Sequence, residues 1–129
     1  MEYVALTGIA ENVMSELRNH VIRTIEIRNP QNFFAALNLV AGDYVFLTHA
    51  SAEDIRGGTL GIIARVARHQ IATHRMVHGS TNFYEEREMT MARVQLEAMG
   101  MARIRKVLVN GIGKVTTVDA EEISCYEAR

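Results

Sequence analysis

Four side chains able to do chemistry crowd into the segment Val21-Ile22-Arg23-Thr24-Ile25-Glu26-Ile27-Arg28. Apolar and polar residues alternate there and β-branched residues are dense, which predicts a strand. Alternation sets Thr24, Glu26 and Arg28 on one face and Ile25 and Ile27 on the other. Neighbours on one face lie about 6.6–6.8 Å apart along the backbone, within reach of a long arginine for a carboxylate. A hydroxyl, an anion and a forked cation in one row suit a ligand that both donates and accepts hydrogen bonds. Arg23, Thr24, Glu26 and Arg28 are therefore the candidate ligand-binding residues. Thr24 and Glu26 are the candidates for any catalysis, as positioner or nucleophile and as proton carrier.

Other candidates are more scattered. His49, directly after an expected strand, is placed near the mouth of the same cleft. His69, His74 and His78 lack a spacing that would gather metal ligands, so no metal and no cofactor is expected. Arg65, Arg68 and Arg75 form a candidate path for a nucleic-acid backbone. From Arg65 to Lys114 nine basic residues stand against four acids, whereas the whole chain carries a net charge of −1. Arginine supplies 12 of the 14 basic residues, a composition suited to phosphate and base-edge contacts but equally to surface ion pairs. Four of the seven methionines fall between Met89 and Met101, either as core filling or as an adaptable surface for a second copy. Cys125 is the single cysteine, which excludes an internal disulfide. Asn110-Gly111-Ile112-Gly113 is a turn rather than a phosphate loop, because no helical pattern follows it.

The elements that must position these groups follow from the rest of the pattern. A length of 129 residues with 48% hydrophobic content fits one domain, residues 1–129, with a real core. No apolar run approaches a membrane span, and Met1-Glu2-Tyr3 lacks the basic start of a secretion signal, so a cytoplasmic protein without membrane association is expected. Tyr3 to Leu6 reads as a strand. A helix then starts at Thr7 or Gly8, carries Ile9, Val13 and Leu17 on one stripe, and stops near Asn19-His20. Asn29 caps a second helix with Pro30 at its first position, and Phe33, Phe34 and Leu37 form its apolar side. Gly42-Asp43 turns into the strand Tyr44 to Thr48. Ser51 with Asp54 predicts a one-turn helix closing at Gly57-Gly58. Thr59 to about Arg75 is one long strand, with Ile62, Ala64 and Val66 opposite Arg65, His69 and Thr73, and a bulge at Ala67-Arg68. Val77 to Phe83 is a loop. Residues 84–99 fit helix or strand. A strand from about Met89 is preferred, with Gly100 turning it into a hairpin. Met101 to Val109 sets Arg103 and Arg105 opposite Ile104, Lys106 and Leu108, and the chain closes with one or two strands within Val115–Tyr126.

Strand, helix, strand, helix and then mostly strands predicts an α+β fold: a small closed or half-closed β-barrel with two or three short covering helices. Arg23-Thr24-Ile25-Glu26-Ile27-Arg28 resembles the signature of ASCH domains, a branch of the PUA-like barrels, which runs Gly-x-Lys-x-x-Glu-x-Arg on the strand after the first helix. Glu26 and Arg28 match it, while Arg23 and Val21 replace its Lys and Gly. Ala41-Gly42-Asp43-Tyr44-Val45-Phe46-Leu47 and Gly61-Ile62-Ile63-Ala64-Arg65-Val66 look like its next two barrel strands, so the likeness covers about the first 75 residues. The whole chain also looks like a short archaeal family without assigned function.

The resemblance implies RNA binding, recognition of modified bases or, in a few members, hydrolysis of an acylated cytidine by Lys, Thr and Glu. Thr24 fits the Thr of that set. Ile22 and Arg23 stand where the Lys belongs, and arginine keeps its proton near neutral pH. RNA or a nucleotide-like small molecule is the expected partner. The alternatives are a small amidohydrolase or esterase acting on a modified nucleoside, and a non-enzymatic homodimeric interaction module.

Overall fold

Eight elements alternate and then give way to strands: β1 (Glu2–Leu6), α1 (Glu11–Arg18), β2 (Arg23–Ile27), α2 (Pro30–Leu37), β3 (Tyr44–Leu47), β4 (Leu60–Ser80), β5 (Phe83–Val109) and β6 (Thr117–Cys125). The computed structural model describes residues 1–27, 29–80, 83–111 and 113–125, with residues 72–80, 83–90 and 125 described by their backbone alone. The fold is mixed α+β: one six-stranded sheet, ordered β2-β5-β4-β3-β1-β6, and two helices. β1 and β3 run parallel and every other pairing is antiparallel. A further pairing joins β5 to β6, so the ladder β5-β4-β3-β1-β6 returns to its first strand.

Both faces of the central strands are buried. Leu6, Val45, Leu47, Ile62, Ala64 and Val66 meet Val13, Met14, Leu17, Ala35 and Ala36 of the two helices, together with Ile25, Ile27, Val94 and Leu96. Ala5, Phe46, Ile63, Ala102, Ile104, Val118 and Ala120 point the opposite way into a second apolar cluster. Strict alternation along short strands produces this division, since each odd–even step crosses the sheet.

Helix α1 begins two to three residues later than Gly8 would predict. Ala10 stands at its N-cap without a side-chain cap, while Gly8 takes φ 65° in the turn before it. Its end is a Schellman motif. His20 adopts φ 65°, and the His20 and Val21 amides bond the carbonyls of Leu17 and Glu16 at 3.1 and 3.0 Å. Val21 and Ile22 are spent on that exit and stand exposed, so β2 is shorter than the run of β-branched residues suggests. Helix α2 starts as expected, with the Asn29 side chain accepting from the amides of Gln31 and Asn32 and Pro30 at the first position. Its buried residues are Asn32, Ala35 and Ala36 rather than Phe34 and Leu37, which face solvent. Small side chains let this helix lie close to the sheet.

Five further expectations are corrected. Ser51 and Asp54 close a turn, not a helix: the Ser51 hydroxyl donates to the Asp54 carboxylate at 2.8 Å instead of capping a backbone amide. The backbone at 77–80 and at Phe83 is strand rather than loop, because β4 and β5 stay paired out to Ser80 and Phe83. Gly100 does not turn the chain; β5 runs through it, pairing with Ile63 on one side and Cys125 on the other. A Cβ at that position would sit 2.2 Å from the Ser124 carbonyl oxygen, so the glycine serves strand contact. Finally, Lys106 and Leu108 do not share the buried side of Ile104, because a register shift between Ile104 and Lys106 brings Val107 to the second cluster instead. The bulge expected at Ala67-Arg68 is present as a register shift between Val66 and Arg68. It carries His69 onto the face of Val66, opposite to its expected side.

Candidate functional site

Strand β2 ends the sheet, and among the described residues only β5 pairs with it. All five of its residues, from both faces, line a cavity of about 830 Å³. The unpaired edge of β2 therefore borders this cavity. Register fixes which side chains share a face. Thr24 lies opposite Gln95, Glu26 opposite Arg93, and Arg23 opposite the buried Leu96. Thr24 and Glu26 thus share the polar face with Arg93, while Arg23 shares the helix-covered face with Ile25 and Ile27.

The remaining lining is the segment from Gly8 to Ala10 with Val13, together with Asn29 and Asn32. That segment is tied down from three directions. Gly8 and Ile9 donate their amides to the carbonyls of Ala50 and Thr48 at 2.8 and 3.0 Å. Asn32, buried, accepts from the Thr7 amide at 3.1 Å and donates to the Thr7 carbonyl at 2.7 Å. The His49 Nδ1–H donates to the Ile9 carbonyl at 2.7 Å. The starts of both helices line this cavity; the first amides of α1 carry no side-chain cap and add positive potential to it, whereas those of α2 are taken by Asn29.

The charged residues of the cavity are engaged in loose ion pairs. An Arg93 Nη lies 3.4 Å from a Glu26 carboxylate oxygen. Arg23 Nε lies 3.1 Å from the Glu16 carboxylate of α1, yet without the alignment of a hydrogen bond. The Nε atoms of both arginines are buried and lack a hydrogen-bond partner. Apolar Ile9, Val13, Ile25 and Ile27 complete the lining. A flat ring against the isoleucines, polar edges against the β2 edge and Thr24, and an anion at a guanidinium are the contacts this arrangement can offer.

The sequence-derived candidates divide accordingly. Arg23, Thr24 and Glu26 are brought together, and Arg93, which sequence reading missed, joins them. Only the pairing of β2 with β5 reveals it, across 67 residues of chain. Arg28 lies outside the described residues. His49 does not join them. It lines a separate cavity of about 380 Å³ with Glu11, Arg18, Thr59 and Met101, and holds the Ile9 carbonyl from there. There Arg18 bonds the Glu11 carboxylate and holds its pKa below the ordinary glutamate value.

Of the proposed backbone path, Arg65 is paired with Glu97 at 2.9 Å on an exposed face. Arg68 is exposed and opposite Gln95, in one cross-strand row with Thr24. The Arg75, His74, His78 and Cys125 side chains lie outside the described residues. His69 is structural: its Nε2 donates to the Ala36 carbonyl at 2.7 Å near the end of α2. Among the described residues, no group of three or more His, Cys, Asp or Glu side chains is arranged to hold a metal ion. No described helix is long and apolar enough to cross a membrane.

Comparison with known proteins gives kinship without chemistry. An uncharacterised protein of the archaeon Methanocaldococcus jannaschii is 38% identical over 106 residues, covering 82% of this chain and 66% of that protein. The chain thus spans just under two thirds of that relative's length. No solved structure matches. The model of the family described as "Protein of unknown function (DUF473)" matches residues 1–118, and the chain belongs to that family.

Proposed function

We propose that this chain is a PUA-like domain that binds RNA or a nucleotide-like ligand in the cavity along β2. The carrying observation is the convergence of Arg23, Thr24 and Glu26 with Arg93 on a cavity of about 830 Å³ that also has an apolar wall. That volume falls within the range of about 300–1,000 Å³ usual for small-molecule sites. The barrel reading is supported by the ladder that returns from β6 to β5 and by the separate apolar cluster on its inner side. Binding is favoured over hydrolysis of a modified nucleoside because, among the described residues, no lysine lines the cavity, and the arginine at position 23 cannot serve as base or nucleophile.

The test is titration of a short single-stranded RNA and of mononucleotides at about 50 and about 200 mM salt. The expected result is saturable binding that weakens with salt and weakens further in Arg23→Ala. Affinity unchanged across the salt range removes the phosphate contacts. Absence of binding to every probe removes the reading. Turnover of an acylated nucleoside in the same preparation would replace it with the hydrolase.

A further inference from the structure

We infer that the cavity captures its ligand by an oxyanion, phosphate or carboxylate, at the guanidinium fork of Arg93, and that Glu26 is a placeholder the oxyanion displaces. The inference takes the cavity as the ligand site proposed above and names the chemistry of one end of the ligand.

A guanidinium offers parallel N–H groups along an edge, and its strongest partners accept two of them at once. Arg93 uses its fork poorly. It meets Glu26 through one Nη at 3.4 Å, beyond the roughly 2.7–2.9 Å of a good charge-assisted bond. Its Nε–H is buried and makes no hydrogen bond. A buried donor without an acceptor is uncommon in folded proteins. Two oxygens of one phosphate or carboxylate would satisfy both positions.

The Arg93–Glu26 contact is able to yield. The side chains of Arg93 and Glu26 are 40% and 42% exposed, and an ion pair so open to solvent contributes little. Neighbouring Thr24 supplies a hydroxyl on the same face, and Arg68 stands in its cross-strand row. Arg23 repeats the pattern on the other face, with a buried unbonded Nε beside Glu16. Two half-used forks bordering one cavity are the arrangement of a site whose proper anion comes from outside the chain.

Calorimetric titration with adenosine, adenosine monophosphate, inorganic phosphate and acetate tests this on the full chain. The monophosphate is expected to bind about tenfold or more tightly than adenosine. Arg93→Ala and Arg93→Lys should both fall to the adenosine level, since an ammonium keeps the charge but loses the fork. Glu26→Gln should bind the monophosphate several-fold more tightly, without a matching gain for adenosine. Competition by phosphate but not acetate, or the reverse, identifies the oxyanion. Full affinity in Arg93→Lys overturns the fork. Equal binding of adenosine and its monophosphate, with Glu26→Gln unchanged, overturns the oxyanion while the ligand cavity stands. Failure of all four probes removes both.

Discussion

Asn32 shows how one side chain serves both the fold and the cavity. Its amide bonds both backbone groups of Thr7, as a neighbouring strand would, in a place where water does not reach. Asn32→Ala leaves a buried N–H and a buried C=O without partners. A destabilisation of about 2–3 kcal/mol is expected, read as a shift of the urea midpoint with unchanged slope. Because Thr7 leads into the Gly8–Ala10 wall, ligand affinity should fall in the same variant. The sequence marked Asn29 by its helix-cap spacing, and the structure agrees. Asn32 carries no such local signal, since its partner lies 25 residues away. Arg93 was hidden for the same reason.

At the scale of elements, what was legible is what neighbours in sequence decide. Strand β2 and its alternation, the Asn29-Pro30 helix start, the Gly42-Asp43 turn and the bulge near Ala67 are all local patterns, and each is found. What was illegible depends on a partner strand. Gly100 reads as a turn in isolation, yet it is a place where β6 comes too close for a side chain. Gly61 has the same role: a Cβ there would lie 2.3 Å from the Leu47 carbonyl oxygen and 2.4 Å from the Phe46 ring. Both obstacles sit on the neighbouring strand β3, so relief requires moving a ladder. Gly61→Ala is expected to cost about 3 kcal/mol or more, seen as a large drop in melting temperature or loss of a cooperative transition. Gly113→Ala, by contrast, meets no atom within 4 Å. It strains only its own φ of 73°, and about 1–2 kcal/mol is expected.

Over the whole molecule, β5 is the common member. It pairs with β2, β4 and β6 and contributes to both apolar clusters, so loss of its pairing should dissolve both together. Surface electrostatics act on the same scale. The Glu121 carboxyl lies below its usual pKa because Arg103 bonds it across the β5–β6 ladder, and Glu11 is lowered likewise by Arg18. Each of these carboxyls holds its proton less tightly in the folded protein than in the unfolded chain. Their stabilisation is therefore complete above the ordinary glutamate range and is lost progressively as pH falls from there through the lowered folded values. Melting temperature should decline modestly between about pH 6 and pH 3, and Glu121→Gln should flatten part of that decline. Added salt should do the same.

The free margin of β2 has one more consequence. An unpaired strand border is a template for stray chains, and proteins blunt such borders by keeping them short and charged. Here the border is five residues long and carries Arg23 and Glu26. A molecule lodged against it would also block that template, so occupancy and resistance to clumping would rise together.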